Sequence, residues 1–180
     1  MKIKHLIDII IQNIPGLGET QAKLELFDAE RQFAGETDIL RETAIISANG
    51  SATWNHPAGL IRVLDIEYYN AAVRRLKDLY DKRYDGDAIV WEDLPGVDTI
   101  RIRYSHYPKV YTAGDTTLET PDQYGLALTE KVCSKHYRRM ERLKEAQFAM
   151  IEYNEAKLRA KKEVNKYIDN SNNAIRPYFY

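Results

Sequence analysis

Apolar positions along the 180-residue chain change their period twice. Up to about Thr37 the spacing is helical. Leu6, Ile7, Ile10, Ile11 and Ile14 recur three and four apart, and Pro15-Gly16-Leu17-Gly18 stops that helix with a turn. Leu24, Phe27, Ala29 and Phe33 restart the helical period, with Glu19 or Thr20 near the start and Gly35 where a terminating glycine is expected. The period then becomes that of strands. Thr43 to Ser47 is a β-branched run, and Asn49-Gly50 predicts a hairpin into Ser51, Thr53 and Trp54. His56-Pro57 closes that strand, and Leu60, Ile61, Val63, Ile66 and Tyr68 form the next. Asp65 and Glu67 alternate with apolar neighbours there, as on a half-solvated sheet. Val73, Leu76 and Leu79 fit either a helical turn or a ragged strand. Asp85-Gly86 predicts a turn before Ala88 to Trp91. In Thr99 to Tyr104, Ile100 and Ile102 face one side and Arg101 and Arg103 the other.

After Pro108 and a polar loop the helical period returns. Thr120-Pro121-Asp122 predicts an N-cap, a proline at the first helical position and an acid in the first turn. Tyr124, Leu126, Leu128, Val132, His136, Tyr137 and Met140 follow, then Ala146, Phe148, Met150, Ile151, Tyr153 and Leu158. A break near Arg142-Leu143 is expected, because one helix from Pro121 to Ile168 would be about 70 Å long. The fold class expected is α+β. It consists mainly of a helical bundle, with two N-terminal and two long C-terminal helices, and an inserted antiparallel β meander or sandwich. The segments are 1–40 (N-terminal helices), 41–118 (β-rich insertion), 119–168 (C-terminal helices) and 169–180, an extended tail.

Composition narrows the functional classes. With a formal net charge of −1, no global field draws the chain to nucleic acid or anionic membrane, so such contact must come from a local patch. The single cysteine, Cys133, excludes an internal disulfide framework and fits a reducing compartment. The first apolar run is broken by Asp8 and is too short to span a bilayer, so a cytoplasmic, soluble chain is expected. Thirteen tyrosines against four phenylalanines tilt the aromatics toward interface-type residues.

Catalytic signatures are weak. Cys133 and His136 suit a ligand pair on one helix face, but no second close pair accompanies them, so no metal or other cofactor is expected. No phosphate-cradling glycine motif and no nucleophile elbow is present. Asp65 and Glu67 project from one strand face and are the only carboxylate pair that a metal-dependent nuclease or hydrolase could use. Basic residues offer more. Arg101, Arg103 and Tyr104, extended by His106, read as one face, and Lys135, Arg138, Arg139, Arg142 and Lys144 cluster on the third helix. Lys157, Arg159, Lys161, Lys162 and Lys166 follow near the end of the fourth. Such residues neutralise phosphates without reading sequence, which makes a sequence-nonspecific nucleic-acid-binding protein the main alternative to a structural role.

The order of segments resembles the head-to-tail connector, or adaptor, family of tailed bacteriophages. That family includes the tail-tubular or gatekeeper ring of podoviruses and the portal-proximal rings of crAss-like phages. Leu26 to Phe33 is similar to the family's alanine–basic–aromatic helix, followed by Glu36 to Leu40 and the strand Arg41 to Ile46. His56-Pro57-Ala58-Gly59-Leu60-Ile61-Arg62-Val63-Leu64-Asp65-Ile66 stands where the family has its proline–arginine–valine segment. Ile100 to Tyr104 and Thr120 to Tyr124 are similar to its last strand and its proline-started third helix. The likeness runs from about Glu19 to Tyr167. His56 departs from the usual apolar residue, and the Pro15 to Gly18 turn is not diagnostic. The resemblance implies a non-enzymatic virion protein of the neck, made in the host cytoplasm. It would form a ring with neighbouring copies (twelve in that family) below the portal protein, above further tail or ring proteins, with double-stranded DNA passing through the lumen and no membrane partner. The family's C-terminal segment docks on the portal, a role that falls here on Arg176, Pro177, Tyr178, Phe179 and Tyr180. Arg101, Arg103, Lys135, Arg138 and Arg139 would be the DNA-channel contacts.

Overall fold

A computed structural model of the chain describes residues 2–72, 75–76, 80–112 and 114–173, and side chains as far as residue 166. It is a mixed α+β structure with two compact units. One comprises Met1–Leu40 with Pro108–Tyr180, and the other Arg41–Tyr107. The segment 108–118, expected in the β insertion, thus groups with the helices. Its backbone explains this: Ile3 N–H donates to Thr116 O at 2.9 Å, and Lys2 bridges Thr117.

The helical unit holds α1 (Ile3–Asn13), α2 (Glu19–Thr37), α3 (Gly125–Arg139) and α4 (Leu143–Asn173). One core draws on all four, with Leu6 and Ile10 of α1, Leu26 and Phe33 of α2, Leu128 and Val132 of α3, and Tyr153 of α4. Fully burying each such aliphatic side chain stabilises by roughly 1.5–3 kcal/mol. Two terminal signals act differently from their sequence reading. Helix α2 runs through Gly35 and stops at Asp38, whose left-handed backbone (φ 55°) lets its N–H donate to Ala34 O at 2.9 Å. Aspartate tolerates that conformation. Thr120 does not cap α3. A single 3₁₀ turn (Asp122–Tyr124) precedes the helix, and the Thr120 N–H donates to the Glu30 carboxylate at 2.7 Å. The break between α3 and α4 falls at Glu141, also left-handed at φ 60°.

The larger departure is on α4. Its buried stripe is mostly small: Ala146, Ala149, Tyr153, Ala156, Ala160 and Val164. Phe148, Ile151 and Leu158, apolar and helically spaced, point to solvent and are 69%, 51% and 58% exposed. Leu24 of α2 and Leu126 of α3 are likewise outside the core.

The β unit contains two antiparallel sheets. β1 (Arg41–Ser47), β7 (Thr99–His106), β3 (Leu60–Tyr69) and β4 (Arg75–Leu76) lie in that order in one; β2 (Gly50–Asn55), β6 (Ala88–Leu94) and β5 (Arg83–Asp85) in the other. It is not a meander, and Asn49-Gly50 does not close a hairpin. Gly50 takes φ 79°, but the turn carries the chain from one sheet to the other: β1 pairs with β7 and β2 with β6. One core built from both sheets decides this outcome. Trp54, Ile89 and Trp91 of the second sheet share it with Tyr68, Ile100 and Ile102 of the first, and Trp91 Nε1 donates to the Tyr68 hydroxyl at 3.1 Å. Pairing β1 with β2 would remove Trp54 from that core.

Candidate functional site

The predicted site residues fall on separate features. In the β unit, register puts Arg101 opposite Glu67 and Arg103 opposite Asp65 across β7 and β3. Directly paired residues share a sheet face, so the four side chains stand together on the side away from the core. Tyr104 and His106 do not join them. They alternate to the other face, where Tyr104 is buried beside Trp54 and its hydroxyl donates to Glu42 at 2.5 Å. Burial and that carboxylate push the Tyr104 hydroxyl up to about 12.

Glu67 is not a solvated strand residue. It is 3% exposed, ringed by Arg75 at 2.9 Å, Arg103 at 3.2 Å and Arg101 at 3.7 Å, and it accepts the Tyr69 hydroxyl at 2.9 Å. Arg101 in turn donates to the Tyr69 oxygen at 3.2 Å and lies over its ring. Burial first, then the Glu67 carboxylate, raise the Tyr69 hydroxyl. Asp65 sits 3.8 Å from Arg103. Three guanidinium groups against two carboxylates make a locally positive site. A divalent cation would have to displace arginine from Glu67, which weighs against metal-dependent hydrolysis there. Among the described residues no group of three or more His, Cys, Asp or Glu is arranged to hold a metal ion.

Lys135, Arg138 and Arg139 belong to the helical unit, on the last turns of α3. Lys135 and Arg138 line an open cleft of about 350 Å³ with Glu25, Asp28, Lys131 and Met150, while Arg139 is exposed and does not line it. Lys135 pairs with Glu25 at 3.2 Å, and His136 Nε2 lies 3.0 Å from the same carboxylate. Burial opposes charge on Glu25, but hydrogen bonds from Gln21, Lys135 and His136 outweigh it and hold the carboxyl below its ordinary range. His136 is thus engaged by Glu25 and not by Cys133. The Cys133 thiol is buried and pushed up to about 12, first by burial and then by Glu130, so it is inert packing.

The tail residues Arg176, Pro177, Tyr178, Phe179 and Tyr180 lie outside the described residues. Two features escaped the sequence reading. One is the centring of Arg75, Arg101 and Arg103 on Glu67, which needs the β3–β7 register. The other is the exposed face of α4, whose signal was present as two interleaved apolar stripes, one rich in alanine and one in large side chains. No protein-family model matches the chain, and no curated protein sequence matches it either.

Proposed function

We propose that this chain is a structural head-to-tail adaptor of a tailed bacteriophage and not an enzyme. It would stand at the neck of the virion in a ring of like copies beneath the portal protein, with further tail or ring proteins below and double-stranded DNA in the lumen. In this reading the four helices are a bundle whose two C-terminal members carry the contacts between copies, and the β unit is an insertion. The resemblance described above supplies the family, and the outer face of α4 is the observation that carries the assembly role.

Phe148, Ile151, Glu155, Leu158 and Lys162 recur three and four apart, which is the seam spacing of a helix that packs against another. Three large apolar side chains there are more than half exposed. Leaving one such group in water forgoes roughly 1.5–3 kcal/mol of burial, so an apolar stripe of this kind marks a contact surface. Charge supports a second copy as the occupant. Glu145, Glu152 and Glu155 lie along the first half of the stripe. Arg159, Lys161, Lys162 and Lys166 lie along the second, with Lys144 and Glu163 the exceptions. A surface acidic at one end and basic at the other is complementary to a displaced or reversed copy of itself.

The portal contact is assigned to the tail, with Arg176, Tyr178, Phe179 and Tyr180 as anchors of the kind that dominate interfaces once buried. The test is deletion of 170–180. The truncated chain is expected to keep its far-ultraviolet circular dichroism and to lose recruitment to purified portal rings. Recruitment that survives the deletion removes the tail from the interface.

A further inference from the structure

We infer that the outer face of the β1-β7-β3-β4 sheet is the surface that touches the phosphate backbone of duplex DNA. This assigns the face and the residues of that contact within the adaptor reading, on which it rests. The pairing register lays the face out in rows: Arg41, Ser105 and Arg62 in one, Thr43, Arg103 and Asp65 in the next, then Ile45, Arg101 and Glu67. Tyr69 and Arg75 complete it across β4. Five arginines therefore share one sheet face with two carboxylates, in a chain whose overall formal charge is −1. The arginines reach solvent there: the Arg101 and Arg103 side chains are 37% and 33% exposed, Arg62 is exposed, and Ile45 on the edge strand β1 is 65% exposed.

The geometry favours a nucleic-acid backbone over an acidic protein segment. Same-face residues on one strand are about 6.8 Å apart and neighbouring strands about 4.8 Å, so the cations form a shallow lattice and not a pocket. An acidic peptide would need an aromatic or aliphatic anchor in a pocket to bind well, whereas the Tyr69 hydroxyl is already tied to Glu67 and Arg101. Along one DNA strand a phosphate recurs about every 3.4 Å of axis, so a 6.8 Å step spans two. Guanidinium groups suit such oxygens because they donate in a planar fork. Glu67 is the positioning residue. Buried beneath the arginines, it holds three of them upright and offsets part of their charge, which keeps contact weak enough for DNA to slide.

The experiment is fluorescence anisotropy of the full chain with a short random-sequence duplex between 50 and 200 mM salt. Each phosphate contact contributes a slope of about 0.9 in log K against log salt, or roughly a 3.5-fold loss over that range. Arg103→Gln and Arg62→Gln should each reduce the slope by about 1. Arg62 is exposed, so its variant stays informative if Arg103→Gln proves unstable. Asp65→Asn should tighten binding, an effect opposite in sign to damage to the fold. The inference is overturned if these variants leave the slope unchanged, or if polyglutamate of equal charge competes as well as DNA. Absent DNA binding with intact recruitment to portal rings removes this inference alone. Lost recruitment with DNA binding retained removes the adaptor reading and leaves a nucleic-acid-binding protein.

Discussion

The two units bury carboxylates for different ends. In the helical unit Glu30 is 0% exposed and accepts the Thr120 N–H at 2.7 Å, tying α2 to the entry of α3. Glu25 does similar work between α2 and α3 through His136 at 3.0 Å and Lys135 at 3.2 Å. In both cases an acid cross-links elements of a core. In the β unit Glu67 faces away from the core and is buried by the arginines it gathers. The helical acids hold backbone segments in place, while the β acid holds surface cations in place. Changes at the two kinds of acid should therefore read out differently, in stability for one and in surface chemistry for the other.

The strongest way to test the separateness of the units is to empty one core. Trp91 is fully buried and its indole donates to Tyr68. Trp91→Ala should cost about 3–5 kcal/mol. Hydrogen exchange should show protection falling across β1–β7 while amides of α1–α4 keep theirs. Equal loss in both units would mean that they unfold as one.

A smaller effect, confined to the helical unit, comes from pH. The Glu25 carboxyl is held below its ordinary value of 4.5 in the folded chain. A lowered carboxyl contributes stability that is full above that value and is lost as pH falls through the folded one. Hydrogen bonds to a charged group contribute roughly 1.5–3 kcal/mol. Glu25→Gln should therefore show a shallower drop in urea midpoint between pH 7 and pH 3 than the parent chain. Parallel profiles would show that the cluster adds nothing to acid sensitivity.

Next in size is the direct contrast between units. Glu67→Gln removes the carboxylate shared by three guanidinium groups and leaves Arg103 with Asp65 alone. Breaking a fully buried ion pair costs about 3–5 kcal/mol, but these arginines are partly solvated, so about 1–2 kcal/mol is expected. Glu30→Gln keeps an oxygen for the Thr120 N–H and should change stability by less than about 1 kcal/mol. Thermal unfolding of the two variants side by side decides it, and a larger loss for Glu30→Gln would reverse the contrast.

The helices were legible because their signals are local. Pro15-Gly16 stops α1 where the period ends, and the break before Leu143 follows from length alone. What was not legible depends on partners distant in sequence. Asn49-Gly50 carries a hairpin signal, yet the shared core of Trp54, Trp91 and Ile100 sends β2 to the other sheet. Glu67 resembles a solvated strand residue until the register brings Arg101 and Arg103 to it. On α4 a period of 3.5 fits two faces equally. The alanine face packs inward because small side chains let helices approach closely, and nothing local says which of two apolar stripes will be buried.

That last ambiguity yields the smallest expected change in stability and the most direct test of assembly. Phe148 and Leu158 are exposed, so Phe148→Glu or Leu158→Glu should shift the unfolding free energy by no more than about 0.5 kcal/mol. If the outer stripe of α4 joins copies, the same substitutions should abolish rings formed on purified portal, seen by negative-stain microscopy. They put a charge into a surface that must lose water on contact, where an unpaired ion is strongly disfavoured. Charge reversal of Glu152 to Lys should weaken rings less, because a rim charge affects encounter more than the bound state. Rings that form normally from Phe148→Glu chains would leave the exposed stripe without a role in assembly and return the question of which face joins the copies to the other three helices.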